Sequence, residues 1–219
     1  MRPVLLLRPE PGLSASAERA RELGLEVLAC PLFRVEAVAW DVPDAAKYEA
    51  LLLTSANAVR HGGAGLDALK ALPAHAVGEA TAAAARQAGY QVSSVGVRNA
   101  AEMIAGLPPS LRLLHLCGKH HVPGDDPRID RRIVYRSAEI DDPRLPPLSG
   151  QVVAVHSARA GARLAELADE RGGAAIAAIS EAAAEAVGSG WQRVEIAEQP
   201  TDASLLALAA MLCHTSPRT

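Results

Sequence analysis

The sequence predicts an α/β fold of two domains, each built on a parallel sheet. Short continuous apolar runs, such as Leu51 to Leu53 and Val152 to Val155, alternate with Ala- and Leu-rich helical stretches, the pattern of strands covered on both faces. The stretch Thr54-Ser-Ala-Asn-Ala recurs as His156-Ser-Ala-Arg-Ala, 156 − 54 = 102 positions later. Two further block pairs keep that offset: Ala76-Val-Gly-Glu-Ala-Thr-Ala with Ala178-Ile-Ser-Glu-Ala-Ala-Ala, and Asn99-Ala-Ala-Glu-Met-Ile with Thr201-Asp-Ala-Ser-Leu-Leu. Two copies make two similar domains, since a solenoid needs at least three repeats to bury its faces.

Each element follows from local pattern. Val4 to Leu7, ended by Arg8-Pro9, is a strand; Ser14 to Leu23 has helical spacing up to Gly24, a natural C-cap; Leu25 to Ala29 is a second strand. Leu51 to Leu53, Val92 to Val95, Leu113 to Leu116, Val152 to Val155 and Ala175 to Ile179 read as further strands. The first strand-helix unit precedes the first copy and has no counterpart just before the second. The chain is therefore expected to start in one domain, cross to build the other, and return. Phe33 to Trp40 and Arg131 to Ile140 have the strand-like composition for the crossings, flanked by Pro31, Pro43, Pro127 and Pro143. The expected division is 1-33 plus 141-219 as a discontinuous domain, 44-130 as an inserted one, and 34-43 and 131-140 as connecting strands.

Composition narrows the function. The 219 residues are 49% hydrophobic and 21% charged, with 3% aromatic, so the core is built of Leu, Val, Ile and Ala. A net charge of −3 supplies no global field for nucleic acid or an anionic membrane, so neither is an expected partner. No apolar run approaches the roughly 18 residues that span a bilayer, and the N-terminal stretch is too short for a signal-peptide core, so a cytoplasmic location is expected. Cys30, Cys117 and Cys213 are odd in number and widely spaced, as suits reduced thiols.

Candidate chemistry gathers at the strand ends, where ligands bind in parallel α/β sheets. Thr54-Ser55-Ala56 and Ser157-Ala158 each sit where a strand gives way to a helix, with small side chains that leave backbone N–H groups uncovered for a carboxylate or phosphate. Gly78-Glu79-Ala80 and Ser180-Glu181-Ala182 repeat the device. Singly, each is an ordinary N-cap; as two matched pairs, one per domain, they predict an anion-binding cleft between the domains. A nucleotide is not expected, because neither a P-loop nor a dinucleotide fingerprint is present. Arg128-Ile-Asp-Arg-Arg-Ile-Val-Tyr-Arg136 places four arginines in nine residues, which either decorate a solvated edge strand or pair with ligand carboxylates. On an extended strand Tyr135 shares a face with Ile133 and Ser137, and its phenol can donate a proton or hydrogen bond. Cys117, His120, His121, Asp125 and Asp126 lie in one short loop without an established zinc spacing, so no metal is expected. His120 and His121 read as exposed, and His156-Ser157 is no dyad, since strand neighbours point to opposite faces.

Together these residues resemble the uroporphyrinogen-III synthase family along nearly the whole chain: Leu7-Arg-Pro-Glu10, Leu53-Thr-Ser-Ala-Asn-Ala-Val-Arg60, Ala76-Val-Gly-Glu-Ala-Thr-Ala82, Val134-Tyr-Arg-Ser137 and Ala197-Glu-Gln-Pro-Thr201. The resemblance implies a flavodoxin-like parallel sheet in each half, the N-terminal segment joining the C-terminal half, and a two-stranded hinge. It implies closure of hydroxymethylbilane, an octacarboxylate, with inversion of the last pyrrole ring and without metal or cofactor. Tyr135 matches the family's tyrosine, proposed to help the hydroxyl leave. Substrate contacts are expected from Arg8, Thr54, Ser55, Ala56, Asn57, Gly78, Glu79, Ala80, Gly118, Lys119, Ser157, Ala158, Arg159, Ser180, Glu181 and Ala182. A monomer receiving its substrate from hydroxymethylbilane synthase is the expected assembly. Family members commonly carry Thr-Ser-Pro where this chain has His156-Ser157-Ala158, Gly-Pro-Thr-Thr where it has Ser180-Glu181-Ala182-Ala183, and an arginine where it has Cys117. Backbone contacts survive such changes and hydroxyl contacts do not. The other reading is a two-lobed module that binds a small polyanion without chemistry.

Overall fold

Ala50 to Leu53 and Val152 to Val155 are all at most 1% exposed, and a strand with no solvent face needs helices on both sides. The computed structural model, which describes residues 1–97, 99–120 and 125–215, provides them. The chain runs through β1 (Val4–Leu6), α1 (Gly12–Glu22), β2 (Val27–Ala29), β3 (Phe33–Ala37), β4 (Ala50–Leu53), α2 (Ala56–His61) and β5 (Ala74–Val77). It continues with α3 (Glu79–Gln87), β6 (Val92–Gly96), α4 (Ala100–Ala105), β7 (Leu113–Gly118) and β8 (Ile129–Glu139). It ends with β9 (Val152–Val155), α5 (Ala158–Leu167), β10 (Ala175–Ala178), α6 (Glu181–Ala186), β11 (Arg193–Ile196) and α7 (Asp202–His214).

Two units result: Met1–Arg34 with Glu139–Thr219, and Val35–Ala138. The first unit holds a five-stranded sheet in the order β11-β10-β9-β1-β2, parallel throughout. Strand parity sorts its core. Val4, Leu6, Val152 and Ala154 face one way with Leu13 and Ala17 of α1 and Leu205 and Ala209 of α7. Leu5, Leu7, Val153 and Val155 face the other way with Leu164 of α5 and Ala183 of α6. The second unit holds a six-stranded sheet in the order β3-β8-β7-β4-β5-β6, parallel from β8 to β6. Val38 N–H donates to Val134 C=O and Ile140 N–H to Leu32 C=O, so β3 runs antiparallel to β8.

The register explains the unmatched N-terminal segment. Central strands β4 and β9 are flanked on one side by β5 and β6, or by β10 and β11, in matching order. On the other side stand β7 and β8 in the second unit and β1 and β2 in the first. One unit receives that outer pair after its central strand, the other before it. The first unit has the 2-1-3-4-5 order of flavodoxin-like sheets, and the second is a circularly permuted connection of the same arrangement.

Two details differ from the sequence reading. The ladder between β7 and β8 begins at Leu113 with Ile129, so an inserted domain ending at 130 would cut through a strand. β11 went unrecognised because it is an edge strand, with Val194 and Ile196 exposed and Arg193 paired to Glu195 at 2.6 Å. All three cysteines are buried free thiols, and burial pushes Cys213 up to about 11. Among the described residues no helix is long and apolar enough to cross a membrane.

Close helix packing in the first unit depends on Gly161. A Cβ there would meet Ala183 O of α6 at 2.8 Å and Val187 Cγ1 at 3.1 Å; the equivalent residue in the second unit is Val59. Gly161→Val should cost about 1–3 kcal/mol by overpacking, read as a lower urea midpoint, whereas Val59→Ile should be milder.

Candidate active site

Parallel strands finish at one end of their sheet, so the turns after neighbouring strands form a row. In the second unit, across the order β8-β7-β4-β5, that row contains Tyr135, Gly118 with Lys119, Thr54 to Asn57, and Gly78 to Ala80. Ser55 is the N-cap of α2, its Oγ accepting from Asn57 N–H at 3.2 Å. Thr54 Oγ1 lies 3.0 Å from Nε2 of buried His115, which fixes the hydroxyl. Ala56 is buried, and Asn57 Oδ1 is buried without a hydrogen-bond partner. Gly78 has φ +82°, a conformation that favours glycine, and its N–H donates to Gly96 O at 2.8 Å. Its contribution is thus the turn, with no free amide of its own. Glu79 pairs with Arg86 at 2.6 Å, and Ala80 is exposed.

Tyr135 is placed by a register shift. Cys117 pairs with Ile133 but Gly118 pairs with Tyr135, so Val134 is the extra residue of a bulge. The expected alternation fails here: Ile133 is 38% exposed, while Val134 and Tyr135 both pack against the cluster of Leu114 and Leu116. The Tyr135 ring then lies over Gly118, where a Cβ would come within 2.6 Å of Cζ. Lys119 N–H donates to Tyr135 O at 2.9 Å, and the His61 ring is tilted 35° to the tyrosine ring with 6.4 Å between centroids. Among the described residues, the Tyr135 hydroxyl has no hydrogen-bond partner. Burial, and next the charge of Arg60, lower the pKa of His61. His120 is exposed, and His121 lies outside the described residues.

The first unit forms the matching row after β1, β9 and β10, with Arg8, Ser157 to Arg159, and Ser180 to Ala182. Ser157 and Ser180 cap α5 and α6, accepting from Ala160 N–H at 3.2 Å and Ala183 N–H at 3.4 Å. The Arg159 guanidinium sits 4.6 Å from the centre of the Phe33 ring. Glu181 and Ala182 are exposed. Arg8, expected to face substrate, is bonded through Nη1 to Asp202 Oδ1 at 3.0 Å and to Ser16 Oγ at 2.9 Å.

Asp202 also accepts from His156 Nε2 at 2.8 Å, Ser16 Oγ at 2.6 Å and Arg19 Nη1 at 2.5 Å. This cluster ties α1, β9 and α7 together and was not foreseen. Its sequence signal was one acidic residue directly after the Thr201 cap. Burial pushes the Asp202 carboxyl up, but hydrogen bonds from His156, Ser16 and Arg19 outweigh it and hold the group well below the usual carboxylate range. A depressed folded pKa stabilises above the unfolded value, about 3.9, and that stability is lost as pH falls through the folded value. Wild type should therefore melt well above Asp202→Asn at pH 7, with the gap closing toward pH 2.5. A gap that stays constant would remove the carboxylate's charge from the account.

A family model described as uroporphyrinogen-III synthase HemD matches residues 14–207. No curated protein matches the chain. Among solved structures, uroporphyrinogen-III synthetase from Helicobacter pylori aligns with TM-score 0.70 at 19% identity, covering 97% of this chain and 100% of its own. A mutant uroporphyrinogen III synthase from Thermus thermophilus aligns with TM-score 0.53 at 17% identity, covering 96% and 99%. At such identities these likenesses establish the fold.

Proposed function

Because the chain belongs to the uroporphyrinogen-III synthase family, we propose that Tyr135 assists departure of the substrate hydroxyl and that backbone amides at the strand ends hold its carboxylates. The enzyme is a cyclising lyase of tetrapyrrole biosynthesis that closes hydroxymethylbilane to uroporphyrinogen III. The observation that carries the role of Tyr135 is its unpartnered hydroxyl, held over Gly118 at the end of the strand row. In this reading the phenol donates to the hydroxymethyl oxygen as the C–O bond breaks. Water leaves, and the pyrrole nitrogen lone pair stabilises the resulting azafulvene cation. The substituted carbon of the last ring attacks it, giving a spiro intermediate that fragments and recloses with that ring inverted. Orientation of a flexible chain is then the larger part of the work.

Charge at the helix starts ranks the amides. The first turns of α3 and α6 already carry Glu79 and Glu181, which occupy the place favourable to an anion. The first turns of α2 and α5 carry no acid, so Ala56 and Ala158 are the stronger candidates for a substrate carboxylate. Gly118 and Lys119 serve beside Tyr135, whereas Arg8 balances Asp202 and is left out of the binding set. We read the enzyme as a cytoplasmic monomer supplied by hand-over from hydroxymethylbilane synthase.

Incubation with enzymatically generated hydroxymethylbilane, followed by separation of type I and type III porphyrins after oxidation, tests the activity; only type I would refute it. Tyr135→Phe should lower the rate by something like 10-fold to 10⁴-fold with little change in product affinity. An unchanged rate would leave Tyr135 a packing residue. Ala158→Asp should fold well, since Asp suits a helix N-terminus, yet bind product poorly in titration, while Glu181→Gln should bind it no worse than wild type.

A further inference from the structure

One face of the second unit's sheet is thinly covered. In the first unit the equivalent face lies under α1, whose Leu13, Ala17 and Ala20 pack with Val4 and Leu6. Among the described residues no helix links β7 to β8, and α4 has 6 residues where its counterpart α7 has 13. A pocket of about 420 Å³ results, wholly within the second unit and bounded by Ala101 and Ile104 of α4, His115 of β7 and Arg131 of β8. That volume suits a small ligand.

The register shows what has changed at this place. Leu52 pairs with His115 and Ala154 pairs with Leu6, so His115 stands where the first unit has Leu6. His115 in turn pairs with Arg131, and Leu6 with Ala29, so Arg131 replaces an alanine. Two polar side chains thus take apolar positions on a face where, among the described residues, no helix links β7 to β8. Burying a guanidinium nitrogen without an acceptor is unfavourable, yet Arg131 Nε is buried with no hydrogen-bond partner. Hydrogen bonds from Arg128 hold the Asp126 carboxyl low and the charge of Arg131 helps, but among the described residues no carboxylate facing the pocket accepts a hydrogen bond from Arg131 Nε. Asp126 is held by Arg128 Nε at 3.0 Å and Nη2 at 2.7 Å, so that pair is internally neutral, and Asp125 is exposed. His115 is linked to Thr54 through its Nε2.

We propose that this pocket is a carboxylate subsite, in which Arg131 takes the carboxylate and the Ala101–Ile104 wall of α4 takes a short hydrocarbon arm. The carboxylate belongs either to a side arm of the tetrapyrrole, which rests on the function proposed above, or to a free short-chain monocarboxylate.

Two probes separate these sources: sodium propionate and uroporphyrinogen III kept reduced. Each is titrated into wild type, Arg131→Gln, Arg131→Lys and Ile104→Trp, with amide chemical shifts followed by NMR and thermal melts alongside. Arg131→Gln should weaken binding roughly 10-fold or more, Arg131→Lys should restore part of it, and Ile104→Trp should block the pocket while leaving its charge. Weakened uroporphyrinogen binding with a raised KM for hydroxymethylbilane identifies the tetrapyrrole arm. Weakened propionate binding alone identifies a free monocarboxylate. Unchanged binding of both probes by well-folded Arg131→Gln overturns the subsite. If that variant does not fold, wild-type shifts decide: changes at α4 and β8 amides support the subsite, and their absence overturns it. Conversion of hydroxymethylbilane by wild type is scored separately, so failure of the subsite and failure of the enzymatic reading give different results.

Discussion

Both sheets depend on central strands that have no exposed face. Ala50–Leu53 and Val152–Val155 bury alternate side chains into separate clusters above and below. With backbone groups paired on both edges, parallel neighbours must be reached by crossovers over those faces. That requirement brings the turns after β4, β5 and β7, and after β1, β9 and β10, into rows. The caps at the following helix starts fall at matched positions: Ser55 and Ser157, Gly78 and Ser180, Asn99 and Thr201.

The two units use equivalent places differently. His156 matches Thr54 and Asp202 matches Ala100 in the repeat. In the first unit these positions join a partly buried ionic cluster that ties three elements together. In the second they leave a hydroxyl fixed by His115 and a small residue beside a pocket. Asp202 there accepts from His156, Ser16, Arg8 and Arg19 at once, so the first unit is the more constrained at this point.

Much of this was legible from residue order. The alternation of short apolar runs with helical stretches and the constant offset of the repeat gave the class, the two copies and the need for a chain that leaves and returns. The helix caps Ser55 and Ser157 stood out as small polar residues directly after apolar runs. The rest depends on pairing, which a linear pattern does not encode. The bulge at Val134 moves Tyr135 to another face and becomes visible only when Gly118 is set opposite it. The bond from Arg8 to Asp202 joins residues far apart in sequence and is invisible to a linear pattern. His115 and Arg131 reach a common pocket only through the β7–β8 register.

The permuted order of strands also bears on how the chain is made. Residues Val35–Ala138 form a contiguous segment holding every strand of the second unit's buried core, so that sheet can close soon after its last strand leaves the ribosome. β1, α1 and β2 emerge earlier, but the cluster that Val4 and Leu6 share with Leu13 and Ala17 of α1 is completed only by Val152, Ala154 and the α7 residues Leu205 and Ala209. The oldest part of the nascent chain must therefore wait, with apolar strands exposed, for the youngest. During that interval it is the segment most open to chaperone binding or aberrant pairing, and truncation near the C-terminus would orphan the N-terminus as well.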